Sequence, residues 1–159
     1  MKWTEILLAI TAVLTALNAG LFFAWSISVM TGLAGVSDKV FISFMQSANR
    51  AIQNPVFLTV FFGTQLLLPV STLLNADIKS RFWLLLAATI FYTIGVTAVT
   101  IFGNVPLNNR LEKFNLEKAS AEEITSQRKI FERRWTSLNN LRTLFSFFSI
   151  VLIIFACFN

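Results

Sequence analysis

Long apolar stretches separated by short polar ones set the pattern of this chain. Residues 6–31 carry no charge, about 39 Å of helix at 1.5 Å per residue, enough to cross a bilayer with tilt. The stretch is too long for the hydrophobic part of a cleaved leader, although Lys2 gives it a short positive flank. The pattern predicts a first span over about 5–32. Within it Ala12, Ala16, Gly20, Ala24, Ser28 and Gly32 recur every fourth residue, a row that predicts a seam for close helix packing. Residues 38–53 read differently. Val40, Phe41, Phe44, Met45, Ala48 and Ile52 share one helical face, with polar residues on the others, as in a short amphipathic helix.

Asn54-Pro55 supplies a cap and a first-turn proline for a second span, about 55–75, with Pro69 inside it as an expected kink. The polar link 77–81 leads to a third span, about 82–102, where Thr89, Thr93 and Thr97 are expected to bond back to their own helix. The next segment, Asn104-Val105-Pro106-Leu107-Asn108-Asn109-Arg110, reads as a break that opens a charged connection over about 104–134. Inside that connection Ser120-Ala121-Glu122-Glu123 matches a capping box. From there the apolar positions keep a helical period through Phe131, Trp135, Leu138 and Phe145 into the last span, about 138–158. That helix is expected to start outside the membrane and run through it. The fold class predicted is therefore all-α: an integral membrane four-helix bundle, one domain over 1–159, with one extra amphipathic helix between the first two spans and both termini on one side.

Composition agrees. Of the 159 residues, 55% are hydrophobic and 13% charged, with 17 Phe and 4 Trp, against about 25% charged in soluble domains. The net charge of +5 belongs to loops and helix ends rather than to a nucleic-acid surface. Three of the 13 Lys and Arg (Lys2, Lys79, Arg81) fall on the side of the termini, leaving 10 on the other. The positive-inside rule would place the termini outside, whereas Lys2 ahead of the first span argues the reverse. No His occurs and Cys157 is the single cysteine. Imidazole-ligated metals, His bases and multi-thiolate centres are excluded, and neither metal nor cofactor is expected.

Polar residues at membrane depth carry what chemistry there is, because each needs a partner there. Trp135, Asn139, Arg142, Ser146 and Ser149 follow spacings of four, three, four and three along the last helix, which puts them on one face. Such a stripe either points into the bundle or, in the blander reading, leaves Arg142 snorkelling to headgroups and Trp135 in an aromatic belt. Asn104, Asn108, Asn109 and Arg110 crowd the break after the third span. Gln46, Asn49 and Asn54 mark the amphipathic helix, where plain solvated positions are expected.

The strings Ala19-Gly20-Leu21-Phe22-Phe23-Ala24-Trp25-Ser26-Ile27-Ser28-Val29-Met30, Met45-Gln46, Asn49-Arg50-Ala51-Ile52-Gln53-Asn54-Pro55-Val56-Phe57, Phe61-Phe62-Gly63, Asn104-Val105-Pro106-Leu107-Asn108, and Trp135 with Asn139 and Arg142-Thr143 resemble the anthrone oxygenase family of small four-span membrane proteins. The resemblance runs from about Ala19 to Thr143 and implies, as its name says, oxidation of anthrones to anthraquinones. An anthrone is a flat, apolar, enolisable ketone whose enolate can meet dioxygen without a metal. A protein would have to bind the ring, stabilise an oxyanion and exclude water. Phe and Trp side chains are expected to line the pocket. Arg142, Asn139 and Trp135 are the candidate donors to the oxyanion, and Asn49, Asn104 and Asn108 the candidate substrate-binding residues. No acid sits where a base is needed, since Glu5, Asp38 and Asp77 lie near span ends.

Two readings compete. In one the chain is a metal-free oxygenase acting on a hydrophobic aromatic in the bilayer, in the plasma membrane of a bacterium. In the other the same cavity holds a lipid, quinone or pigment, or packs against a membrane complex, without turnover. Transport is disfavoured by four spans with no charge mid-membrane. The partners expected are membrane lipids, a hydrophobic small molecule and a second copy of the chain, and no nucleic acid.

Overall fold

The structure, a computed structural model, describes residues 2–159. Its elements are five helices: α1 over Trp3–Leu33, α2 over Asp38–Ala51, α3 over Pro55–Leu74, α4 over Lys79–Glu112 and α5 over Ala121–Cys157. No strand occurs among the described residues. All but α2 are long and apolar enough to cross a membrane, and the chain is a multi-pass membrane protein with an all-helical bundle. The first span packs against α3 and α5, and α5 also packs along most of α4. One core cluster, around Leu8, Phe22, Phe61, Leu68, Tyr92 and Ile153, fills the bundle. A second, around Met30, Phe41, Met45, Leu111, Phe131 and Trp135, joins α2 to the ends of the spans.

Local rules explain the helix ends. The Asn54 side chain accepts from the Phe57 N–H at 3.0 Å, with Pro55 in the first turn. Ser120 and Glu123 form the reciprocal capping box that starts α5. That helix then continues without interruption to Cys157. Pro69 lies inside α3, which continues to Leu74.

Four expectations are corrected. First, the amide-rich segment after residue 102 is not a break: α4 runs through it to Glu112, and the charged connection shrinks to the turns over 113–120. The reason is a register change. Residues 91–98 and 100–104 are π-helical, and the α pattern resumes at Val105. Pro106 thus falls in the first turn of the resumed helix, where its missing N–H is tolerated. Second, the small-residue row of α1 is not a seam within the bundle. Of that row only Ala12 is partly buried against the core; Ala16, Gly20, Ala24, Ser28 and Gly32 are exposed, and the buried positions of α1 are Leu8, Thr11, Thr15, Asn18, Phe22, Met30 and Leu33. Third, α2 is rotated from the expected face. It buries Phe41, Ile42, Met45 and Asn49 and leaves Val40 and Phe44 exposed. Its Gln46 amide donates to the Leu111 and Phe114 carbonyls at 2.9 and 3.0 Å rather than to solvent. Fourth, the threonines of α4 bridge helices. Thr89 bonds back to Leu85 but also meets Thr72 at 2.9 Å, while Gln65 of α3 donates to Thr93 and accepts from Thr97. Interhelical polar bonds of this kind fasten membrane bundles in which burial alone drives little association.

Candidate functional site

Where α1, α2, α3, α4 and α5 converge, they enclose a cavity of about 270 Å³. Its walls are aromatic and aliphatic: Phe22 and Trp25 from α1, Ile52 just past α2, Phe57, Phe61 and Phe62 from α3, Ile101 and Val105 from α4, and Trp135 from α5. Its polar groups are few and convergent, namely Asn49 and Gln53 above, Thr100, Asn104, Asn108 and Asn109 from α4, and Arg142 from α5. A greasy cavity with a few placed polar atoms is the usual form of a small-molecule site.

Arg142 is the electrostatic centre. It is 6% exposed and forms no ion pair among the described residues. Instead Nη1 donates to Thr100 Oγ1 at 3.2 Å and Nη2 to Asn139 Oδ1 at 2.8 Å. Its guanidinium carbon sits 4.4 Å from the centre of the Phe22 ring and 5.8 Å from that of Trp135, so two π faces provide part of the lost solvation. Nε has no partner at all. A buried cation without a counter-ion makes the cavity wall strongly electropositive.

Asn104 is the second unusual group. It is 1% exposed, yet neither its Oδ1 nor its Nδ2 has a hydrogen-bond partner. Asn49 Nδ2 is likewise buried and unpartnered. Buried amides are nearly always satisfied inside a protein. Asn104 Oδ1 and Nδ2, Asn49 Nδ2 and Arg142 Nε, all on residues that line this cavity, are thus donor and acceptor atoms with no protein partner.

The other candidates fall into two kinds. Trp135, 5% exposed, donates its indole N–H to Asn108 Oδ1 at 3.0 Å and stands 5.2 Å from the Trp25 ring. The aromatic-belt reading of Trp135 and the snorkelling reading of Arg142 are thereby set aside. Asn139 lies behind the wall rather than in it. Its Nδ2 donates to the Phe22 carbonyl and to Ser26 Oγ at 3.1 and 2.8 Å, and its Oδ1 accepts from Arg142. It positions Arg142 and has no polar atom free for a substrate. Asn49, Asn104, Asn108, Trp135 and Arg142 all line the cavity.

Thr100 is a polar liner the pattern of the sequence did not reveal. The signal was present: Thr100, Asn104 and Asn108 follow a spacing of four, one face of a helix. Only the reading of residues 104–110 as a break concealed it. The cavity also has a side facing the bilayer, because Leu58 and Phe62 of α3 and Ile101 and Val105 of α4 line it while remaining exposed. In this region α3, which packs along residues 79–98 of α4, has parted from it.

No curated protein and no solved structure matches the chain significantly. The family model for anthrone oxygenase matches residues 41–152, a stretch that holds most of α2, all of α3 and α4, most of α5 and every polar residue of the cavity. The chain belongs to the anthrone oxygenase family.

Proposed function

We propose that the chain is a metal-free oxygenase that takes a flat, enolisable aromatic ketone of the anthrone class from the bilayer and oxidises its methylene to a carbonyl. The observation that carries this reading is the pairing of an unpaired guanidinium, Arg142, with unpartnered Asn104 in a cavity otherwise walled by aromatic rings. A ring system of three fused six-membered rings suits a lining that includes Phe22, Trp25, Phe57, Phe61 and Trp135. Its carbonyl oxygen would take the vacant Arg142 Nε–H or Asn104 Nδ2–H. Both interactions strengthen as the ketone loses a methylene proton and negative charge gathers on oxygen, the condition for lowering a barrier rather than only binding. The enolate carbon then bonds to dioxygen, the second C–H proton leaves, and the O–O bond breaks. One oxygen atom becomes the new carbonyl and the other departs as water, so that ketone plus O₂ gives quinone plus H₂O. The exposed Phe62 and Ile101 at the mouth between α3 and α4 give a membrane-dissolved substrate a lateral route.

One observation favours the second reading, binding without turnover: no Asp or Glu lines the cavity. In the oxygenase reading the first proton passes to water.

Purified protein in mild detergent, incubated with anthrone and air, separates the two. The oxygenase reading requires oxygen uptake matched by anthraquinone absorbance, with kcat/KM lowered by about 100-fold or more in Arg142→Ala. Saturable quenching of Trp25 and Trp135 fluorescence with no oxygen uptake would establish the binding reading instead. Neither quenching nor turnover would overturn the oxygenase reading and exclude an anthrone-class ligand from the binding one.

A further inference from the structure

On the outer face of α4 and α5, away from the cavity, the two helices form an open groove of about 1130 Å³. We propose that this groove is a binding site for the headgroup of an anionic phospholipid, with an acyl chain lying on the apolar wall below. This inference is independent of the reaction assigned to the cavity.

Four cations edge the groove: Arg110 from α4 and Lys129, Arg133 and Arg134 from α5. All four are exposed, and none takes part in an ion pair among the described residues. The acids nearest in sequence are already engaged, Glu132 with Arg128 at 2.9 Å and Glu112 with Arg50 at 2.6 Å. Lys129 and Arg133 stand one turn apart on the same helix face, an arrangement that repels unless an anion joins them. Four uncompensated cations on one groove therefore have a complement to find.

The vertical order of the groove identifies that complement as a lipid. A Cβ added to Gly103 would come 2.9 Å from Leu138 Cδ1, so these two residues fix the level at which α4 and α5 touch. By helical rise Arg134 lies about 6 Å beyond that level, Arg110 about 10 Å and Lys129 about 13 Å. At and below it the surface turns apolar, with Phe102 81% and Leu141 39% exposed. Cations above and an aliphatic and aromatic wall below match the order of a phosphate headgroup and its acyl chain. Basic pockets between helix ends at a membrane surface take anionic headgroups in this way. A free phosphate would use the cations and leave the wall idle.

The test uses the whole protein in detergent, with thermal stability and native mass spectrometry as readouts and phosphatidylglycerol, phosphatidylcholine and inorganic phosphate as probes. Phosphatidylglycerol should be retained and should raise the melting temperature more than phosphatidylcholine. The quadruple change Arg110→Gln, Lys129→Gln, Arg133→Gln, Arg134→Gln should weaken that retention roughly tenfold or more. The same number of charges removed elsewhere on this side, through Lys39→Gln, Arg50→Gln, Lys113→Gln and Lys118→Gln, should leave it unchanged. Equal loss from both sets would mean diffuse attraction and overturn the site. Equal retention of the two lipids would overturn it too, as would protection by millimolar inorganic phosphate that matches the lipid. If the quadruple variant proves unfolded, Arg133→Gln with Arg134→Gln alone must still lower retention, and unchanged retention there would equally reject the proposal.

Discussion

At the residue scale the cavity sets opposite demands on neighbouring side chains, and stability can tell them apart. Asn104 is buried with both polar atoms unmet, so its side chain works against the fold. Asn104→Ala is expected to leave the melting temperature unchanged or raise it while weakening ligand binding. A drop of several degrees would assign Asn104 a structural role. Asn139 is the reverse case, since its amide satisfies the Phe22 carbonyl, Ser26 and Arg142 together. Asn139→Ala should cost about 1–3 kcal/mol of stability, chiefly by leaving the buried Arg142 Nη2 without its acceptor, which denaturation in detergent would measure. Arg142→Lys keeps the charge but not the planar fork that reaches Thr100 and Asn139 at once. It should bind ligand no better than Arg142→Ala, and equal affinity of the Lys variant and the parent would remove the guanidinium geometry from the account.

At the scale of elements, glycines report how the spans meet. A Cβ on Gly95 would run into the Phe145 ring, whereas one on Gly20 meets nothing within 4 Å. Gly95→Ala should therefore destabilise the bundle by about 1–3 kcal/mol, and Gly20→Leu should leave thermal stability in detergent as it was. The sequence pattern pointed the other way, to a packing seam through Gly20. A row of small residues is equally compatible with packing against a helix and with facing lipid, and periodicity alone does not separate the two. The spans themselves were legible, because length, hydropathy and the caps at Asn54 and Ser120 act locally. The stripe from Trp135 to Ser149 was legible too, but its direction was not, since snorkelling of Arg142 and an aromatic-belt Trp135 fitted the same spacing; the burial of all five residues decides it. What local pattern could not convey was the π-helical register of α4 over 91–98 and 100–104. With that register α4 continues past Pro106, so that Thr100, Asn104 and Asn108, already spaced by four, all line the cavity. A π-helical turn at Trp25–Val29 borders the same cavity from α1, in keeping with the association of such turns with functional sites.

At the scale of the whole molecule the cavity is a space between a fastened bundle and a cap, and among the residues that hold the cap down Arg128 makes the most bonds. The roof is α2, which contributes Asn49 to the lining, with Ile52 and Gln53 following it. It is clamped to α5 by Arg128, which donates to the Val36, Leu33 and Ala34 carbonyls and to Asp38, pairs with Glu132, and covers the Phe41 ring at 4.6 Å. The Thr125 hydroxyl, 2.6 Å from Asp38, and then Arg128 hold the Asp38 carboxyl below its ordinary range against the opposing effect of desolvation. A carboxyl depressed on folding stabilises the fold above its unfolded value, about pH 4, and that contribution fades as pH falls through the lower folded value. Acid should accordingly loosen α2 before it affects the spans. Arg128→Ala should do the same at neutral pH, because it removes the clamp at a point where three carbonyls and two carboxylates converge. The expected signature is faster amide hydrogen exchange over residues 38–51, weaker ligand binding at the cavity, and unchanged protection in the buried parts of α1, α3 and α4. Uniform loss of protection through all five helices would mean that Arg128 supports the bundle as a whole rather than its cap. Exchange confined to α2 with ligand binding intact would separate the roof from the site.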